Sequence, residues 1–316
     1  MSRRPEPPPS STGTSDSTAH PSGCDVCGGA ELRRIASVHD VVLRANAHLY
    51  HLEQCLRCGC IFTDMSEAPP CQDYYTGHYY SFQPYDPKQV EAWKASAVPA
   101  ARPERILDVG CGSGEWLFKQ QLQGHEVWGV ELDERAVEAA RANGLQVFRD
   151  FAGVPDVHFD FIRLSHVLEH TRTPTRMLRA VKDKLAPGGR VELLVPNADS
   201  AKFSKLLPVS KLTDVPRHLC FFSAATMRRL LEKLGFQVEH LEPVNVPWRL
   251  NLRETLGDLR RLVIHAGKSK AAPLTVLSLL KDILWIHLGP AARTGVRKDW
   301  LLARATVPAP AVSSQS

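Results

Sequence analysis

The sequence predicts an α/β protein: a largely parallel sheet wrapped by helices on both faces, preceded by a small cysteine-rich module and interrupted by helices near its C-terminal end. Three observations carry this. From Arg105 onward, short apolar runs alternate with helix-length segments. Three glycines at alternate positions (Gly110, Gly112, Gly114) follow the first run. Asp108, Glu131 and Asp150 fall at or just past the carboxyl ends of three successive runs, the edge where ligands sit in such sheets.

The elements follow in order. A strand over 105–109 turns at Gly110-Cys111-Gly112-Ser113-Gly114 into a helix over 115–123, ended by Gly124. A strand over 126–130 ends at Glu131, and Asp133 opens a helix to Asn143 with Gly144 as its C-cap. Strands over 146–148 and 159–164 follow, the second leading into Ser165-His166-Val167-Leu168-Glu169-His170. A helix over 174–185 stops at Pro187-Gly188-Gly189, and a strand over 190–195 ends in Pro196-Asn197. Glycine is needed where backbone takes positive φ or closely approaches a ligand, though a tight turn alone needs no ligand. The acids favour a ligand. Glu131, about 20 residues past the glycines, is placed to accept from ribose hydroxyls. The Gly-x-Gly-x-Gly spacing disfavours a dinucleotide.

The flanks read differently. Residues 1–22 are rich in Pro, Ser and Thr and are expected to be a disordered tail. In 23–72, Cys24-x-x-Cys27 and Cys55-x-x-Cys58 are each followed by glycine, with a hairpin-like stretch over 33–53 between them. This spacing suits a zinc ribbon, a closed four-thiolate site of structural role; a redox-active pair or buried thiols are the other readings. Cys60 and Cys71 have no partner at knuckle spacing. Residues 73–103 form a Tyr-rich connector and a helix over 87–101. The tyrosines read equally as a packing strap or as the wall of a substrate site. The formal charge of +5 is mild, and no basic stripe interleaved with aromatics appears, so no nucleic-acid partner is expected. The first residues carry no apolar signal region, and no apolar run reaches the roughly 18 residues of a membrane span. The expected location is cytoplasmic.

Six motifs stand in register: Ile106–Gly114, Gly129-Val-Glu-Leu-Asp133, Phe159-Asp-Phe-Ile162, Val167-Leu-Glu-His170, Leu185-Ala-Pro-Gly-Gly189 and Val195-Pro-Asn197. Together they resemble the class I S-adenosylmethionine-dependent methyltransferases, and the branch with an N-terminal zinc ribbon above all, whose members act in sugar, glycan and natural-product pathways. The Tyr-rich stretch after the second knuckle, and Pro216-Arg-His-Leu-Cys-Phe-Phe-Ser223, resemble that branch too. The resemblance implies a Rossmann-like seven-stranded methyltransferase sheet over 104–246, completed by a last strand over 299–308. It implies two cofactors, S-adenosylmethionine and a structural zinc, and a small-molecule acceptor. Gly110, Cys111, Gly112 and Gly114 would approach the methionine part, with Asp108 supporting the loop. Glu131 and the adjacent Leu132 would hold the ribose, Asp150 and Phe151 the adenine, and Ser165 and His166 would line the sulfonium.

Among candidate bases, the resemblance places the loop carrying His218 over the acceptor; the other reading is that His218 pins the loop through a backbone hydrogen bond. Glu169 and His170 are the next candidates, with a structural role as the alternative. Ubiquinone-type O-methyltransferases, more distant relatives, bind a divalent ion with a Glu three residues before the Glu-His pair, where this chain has His166. Keto-sugar C-methyltransferases of the branch carry Tyr and Glu before the loop histidine, where this chain has Val215 and Arg217. That departure favours O- or N-methylation. A quinone-type or lipid-like acceptor, a protein or nucleic-acid acceptor, and a non-catalytic cofactor-binding relative are the alternatives.

Residues 247–298 read as a helical insertion between the last two strands, with an apolar stripe Leu252, Leu256, Leu259, Val263 and a strongly apolar stretch over 274–288. A packed cap, a dimer contact through 251–288, a lid over an apolar acceptor and a peripheral membrane contact all fit this pattern. Residues 309–316 are expected to be a disordered tail.

Overall fold

The computed structural model describes residues 23–69, 85–244, 252–269, 273–288 and 298–309. Residues 1–22 and 310–316, Cys71 and the tyrosines Tyr74, Tyr75, Tyr79 and Tyr80 lie outside them. Among the described residues, eleven strands form two sheets.

The seven-stranded sheet is the larger of the two. Its strands are β4 (Arg105–Val109), β5 (Glu126–Val130), β6 (Gln146–Phe148), β7 (Phe159–Ser165), β8 (Leu185–Pro196), β10 (Gln237–Val244) and β11 (Trp300–Thr306), in the order β10-β11-β8-β7-β4-β5-β6. β6, β5, β4, β7 and β8 run parallel, and β11 lies antiparallel between β8 and β10. Strand order reverses between β4 and β7, so their carboxyl ends open a crevice there. Covered on both faces, the central strands read as continuous apolar runs: Ile106, Leu107 and Val109 of β4 and Ile162 and Leu164 of β7 are all buried.

The connecting helices are α2 (Glu115–Leu122), α3 (Glu134–Ala142), α4 (Pro174–Lys184), α5 (Ala201–Leu206) and α6 (Ala224–Lys233), with α1 (Pro87–Ser96) before the sheet. Side chains fix their starts: Asp133 accepts from the Arg135 amide at 2.9 Å, and Ser223 and Thr226 form a reciprocal capping box. Two boundaries differ from expectation by five residues. α1 stops at Ser96, five residues early. β8 begins at Leu185 rather than Arg190: the Gly188 amide donates to Val307 and the Gly189 carbonyl accepts from the Val307 amide, so the Pro-Gly-Gly segment continues the ladder.

The second sheet holds the cysteine-rich module: β1 (Leu32–His39), β2 (Leu49–Cys55) and β3 (Ile61–Asp64) form an antiparallel meander. Its fourth strand, β9 (Cys220–Phe221), comes from the chain between α5 and α6, pairing Ile61 with Phe221 and Phe62 with Cys220. The module is thereby sewn to the segment that carries His218. The insertion forms α7 (Leu252–Ser269) and α8 (Pro273–Leu288). Their inner faces bury Leu262, Leu279, Ile283 and Ile286 against Leu206 and Val209, which makes the insertion a packed cap.

Candidate active site

The glycine loop leaves β4 at the crevice. Gly110, Gly112 and Gly114 all have positive φ, at 71°, 57° and 81°. For two of them the structure shows why glycine is required beyond that: a Cβ on Gly110 would lie 2.4 Å from Val167 Cγ2, and one on Gly114 2.3 Å from Leu145 Cδ1. The Gly110–Val167 approach presses the loop against the segment leaving β7.

Glu131, at the end of β5, holds the loop. Its Oε2 accepts from the Gly112 amide at 2.9 Å, and its Oε1 from the amides of Leu132 at 2.7 Å and Asp133 at 3.0 Å. A carboxylate offers about four lone-pair sites, so capacity remains for a hydroxyl donor. Leu132 beside it stands exposed, as an apolar surface over which a flat ring can lie. At the end of β6, Asp150 accepts from the Gly153 amide at 2.9 Å, and Phe151 packs against the core. Asp108 lies buried within β4, and Arg163 Nη1 stands 3.2 Å from both of its oxygens. Burial, reinforced by the Glu131 charge and only partly opposed by Arg163, pushes the Asp108 carboxyl up to about 7. Loop support thus falls to Glu131, while Asp108 faces Arg163. The Tyr85 hydroxyl donates to the Ser113 carbonyl at 2.6 Å, so the end of the Tyr-rich stretch touches the loop.

Ser165 closes β7. His166 follows with φ 59°, its amide donating to Leu194 at 2.9 Å and its ring edge-on to Trp300 at 4.4 Å. Beyond it, one 3₁₀ turn brings Glu169 and His170 up to His218; the ligand atoms of these three lie within 4.8 Å of one another. Glu169 is fully buried, and neither carboxylate oxygen has a hydrogen-bond partner among the described residues; His166 Nδ1 stands 3.4 Å from Oε1. The rings of His170 and His218 meet edge to face at 4.9 Å. His170 Nδ1 donates to the Arg217 carbonyl at 3.0 Å and His218 Nδ1 to the Leu212 carbonyl at 2.8 Å. A carbonyl only accepts, so Nδ1 carries the proton in both rings and Nε2 is the basic nitrogen. Burial alone would raise the Glu169 pKa, but His166, His170 and His218 around it outweigh burial and hold it below the ordinary value. Burial, chiefly, lowers that of His170. At neutral pH the cluster is therefore a carboxylate beside a neutral His170.

The loop bearing His218 is anchored by Arg217, which is fully buried. Arg217 Nη2 donates to Asp40 Oδ1 at 2.8 Å and to Asp214 Oδ1 at 2.5 Å. Asp40 also accepts from the amides of Val42, Leu43 and Ala45 in the cysteine-rich module. The Thr63 hydroxyl donates to the His218 carbonyl at 2.7 Å. Sequence reasoning missed Arg163, Trp300 and the Asp40–Arg217–Asp214 network. A signal existed only for Arg163, the one cation in the strand Phe159–Ser165.

The four cysteines converge. Cys24 and Cys58 sulfurs stand 3.5 Å apart, as do Cys27 and Cys55, and all four lie within 4.8 Å. An ion bound tetrahedrally at about 2.3 Å would set its sulfurs about 3.8 Å apart. Each knuckle turns on a positive-φ glycine, Gly28 and Gly59, whose amide donates to the first cysteine's carbonyl. Burial pushes Cys24 well up and Cys58 to about 11; at Cys55 the Cys58 and Arg57 amides offset burial, and its pKa is lowered.

Residues 82–241, about half of the chain, match the methyltransferase-domain family, and the chain belongs to that family as a class I S-adenosylmethionine-dependent methyltransferase. A ubiquinone biosynthesis O-methyltransferase of Xanthomonas axonopodis pv. citri (strain 306) is 28% identical over 185 residues, covering 53% of this chain and 77% of the relative. A tRNA U34 carboxymethyltransferase of Idiomarina loihiensis is 30% identical over 147 residues, 42% of this chain and 45% of that protein. A solved S-adenosylmethionine-dependent methyltransferase from Mesorhizobium loti aligns with a TM-score of 0.44 at 19% identity, over 69% of this chain and 96% of that one.

Proposed function

We propose that the enzyme transfers the methyl group to a hydroxyl of a small-molecule acceptor of the sugar, glycan or natural-product kind. The observation that carries this is the juxtaposition fixed by Gly110 and Val167: the donor loop packs directly on the segment that delivers Glu169 and His170 to His218. Bound S-adenosylmethionine supplies an electrophilic methyl on a sulfonium. Gly110, Cys111, Gly112 and Gly114 take its methionine part, Glu131 and Leu132 the ribose, Asp150 and Phe151 the adenine, and Ser165 and His166 flank the sulfonium side. His218 Nε2 takes the acceptor proton, with His170 beside it. The buried Glu169 carboxylate, lacking a firm hydrogen-bond partner, stabilises the imidazolium that forms. The ring tautomers support this, since both Nδ1 protons are already committed to carbonyls. The four cysteines hold a structural zinc, for which their sulfur spacing is suited.

The test is isothermal calorimetry with S-adenosylmethionine, paired with S-adenosylhomocysteine release over a panel of hydroxylated acceptors. His218→Ala is expected to keep cofactor affinity and to lower kcat by about 10²–10⁴, the usual contribution of a positioned base. Lost affinity with unchanged kcat would remove His218 from catalysis. A second reading, a quinone-type or lipid-like acceptor, is favoured by the name of the Xanthomonas relative. It predicts turnover in the same panel on a polyprenylated catechol.

A further inference from the structure

We infer that the outer face of the α7–α8 hairpin docks on an anionic lipid surface. The inference is independent of which acceptor is methylated. Both helices bury one stripe against α5 and the loop after it, and the opposite stripes stay in solvent. On α7 that stripe is Leu256, Arg260 and Val263, at i, i+4 and i+7, with Leu256 54% and Val263 73% exposed. On α8 it is Leu274, Leu277, Lys281 and Leu284, with Trp285 beside them. Leu274 is 79% and Leu277 61% exposed. Each stripe is apolar around one exposed base. Isolated exposed leucines need no explanation, but two parallel apolar stripes on one hairpin do.

Charge says what covers them. The acids whose side chains are described on these helices are Asp258 and Asp282, and both are turned inward. Asp258 is fully buried, held by His287 Nε2 at 2.7 Å, Lys202 at 3.5 Å and Arg261. Asp282 pairs with Lys205 at 3.4 Å. Lys205 also stands 5.3 Å from the Trp285 ring centroid, and Lys211 is exposed in the loop beneath. The outward face is therefore apolar and basic. That combination suits acyl chains under anionic headgroups, with the long basic side chains reaching up to the phosphates. It does not suit a second copy of the chain. A two-fold contact presents the same patch to itself, which sets bases against bases. Nor does the hairpin cross the bilayer: among the described residues no helix is long and apolar enough.

The full chain is tested by flotation with vesicles of phosphatidylcholine alone and of phosphatidylcholine with phosphatidylglycerol. Binding is expected only to the second, and to weaken as salt rises. Arg260→Gln with Lys281→Gln should lower partitioning about thirtyfold, the effect of losing two bases at such a surface. Leu274→Glu with Leu277→Glu should abolish it. Circular dichroism melting and S-adenosylmethionine affinity should stay at wild-type values in both double variants, because all four residues are exposed and none is assigned to the cofactor or acceptor site. Recovery of the protein wholly in the soluble fraction with both vesicles overturns the inference. So does equal flotation with both, or a dimer that Leu277→Glu dissociates while vesicles leave the protein in solution.

Discussion

The two sides of the crevice, which we assign to the methyl donor and to its acceptor, are built by different means. The donor side is made from consecutive chain: Asp108 to Gly114 and Glu131 to Asp133 lie within 26 residues, and its bonds are mostly backbone amides on one carboxylate. The acceptor side is made from pieces far apart. Glu169 and His170 meet His218 across almost fifty residues, and Arg217 meets Asp40 across 177. Its bonds are buried ion pairs, and its loop lends a strand to the cysteine-rich sheet. A backbone-held site depends on local turn chemistry, whereas a site held by distant ion pairs depends on everything those pairs cross.

That contrast can be broken from the acceptor side first. Cys55→Ser removes one of the four sulfurs; metal binding accounts for about 10–16 kcal/mol of folding energy in small zinc domains. The cysteine-rich sheet should lose order and release β9 with the His218 loop. Zinc analysis by mass spectrometry should fall from one ion per chain to none, and turnover should be lost while calorimetry still detects cofactor binding. Loss of both together would show that the two sides are not separable.

A smaller effect comes from the ion pairs. Arg217→Met leaves Asp40 and Asp214 buried without their cation, and breaking such a pair costs about 3–5 kcal/mol, read as a lower urea midpoint. The donor-side counterpart, Arg163→Met, should cost less. Asp108 can take up a proton when its partner goes, since its pKa already stands near 7. Equal losses would erase the distinction between the sides.

The smallest effect is one of pH. In the free protein Asp108 holds its proton up to about pH 7, whereas the unfolded chain releases it near 3.8. Its contribution to stability is therefore fully present below the unfolded value and is lost as pH rises towards 7. A cationic sulfonium bound nearby favours the ionised form. Cofactor affinity should accordingly rise between pH 6 and 8, by at most about tenfold per unit below the pKa. Asp108→Asn should flatten that slope. A wild-type affinity that does not change across this range would place Asp108 outside the reach of the cofactor charge.

What was legible in the sequence divides along the same line. The glycine loop, Glu131, the succession of strands and helices from Arg105 and both cysteine knuckles were readable, because each is a short-range pattern whose spacing dictates its geometry. The insertion's helices were readable from periodicity, and a packed cap was among the readings they offered; the surface it packs on was not readable, because Leu206 and Val209 lie some fifty residues or more earlier. Arg217 looked like a mere departure from a family pattern. Only the fold shows that it is the bolt between Asp40 and Asp214. β9 was invisible, since two residues carry no period.

The pairing of β9 with β3 bears on how such enzymes diversify. A module joined only at its end can be traded between relatives like a bead on a string. Here a recombination event that replaced residues 23–69 alone would inherit a β3 shaped for a foreign partner and an Arg217 with no Asp40. Exchange would succeed only if residues 214–221 travelled with the module, so the cysteine-rich sheet and the loop carrying His218 form one heritable unit despite lying about 150 positions apart in the chain.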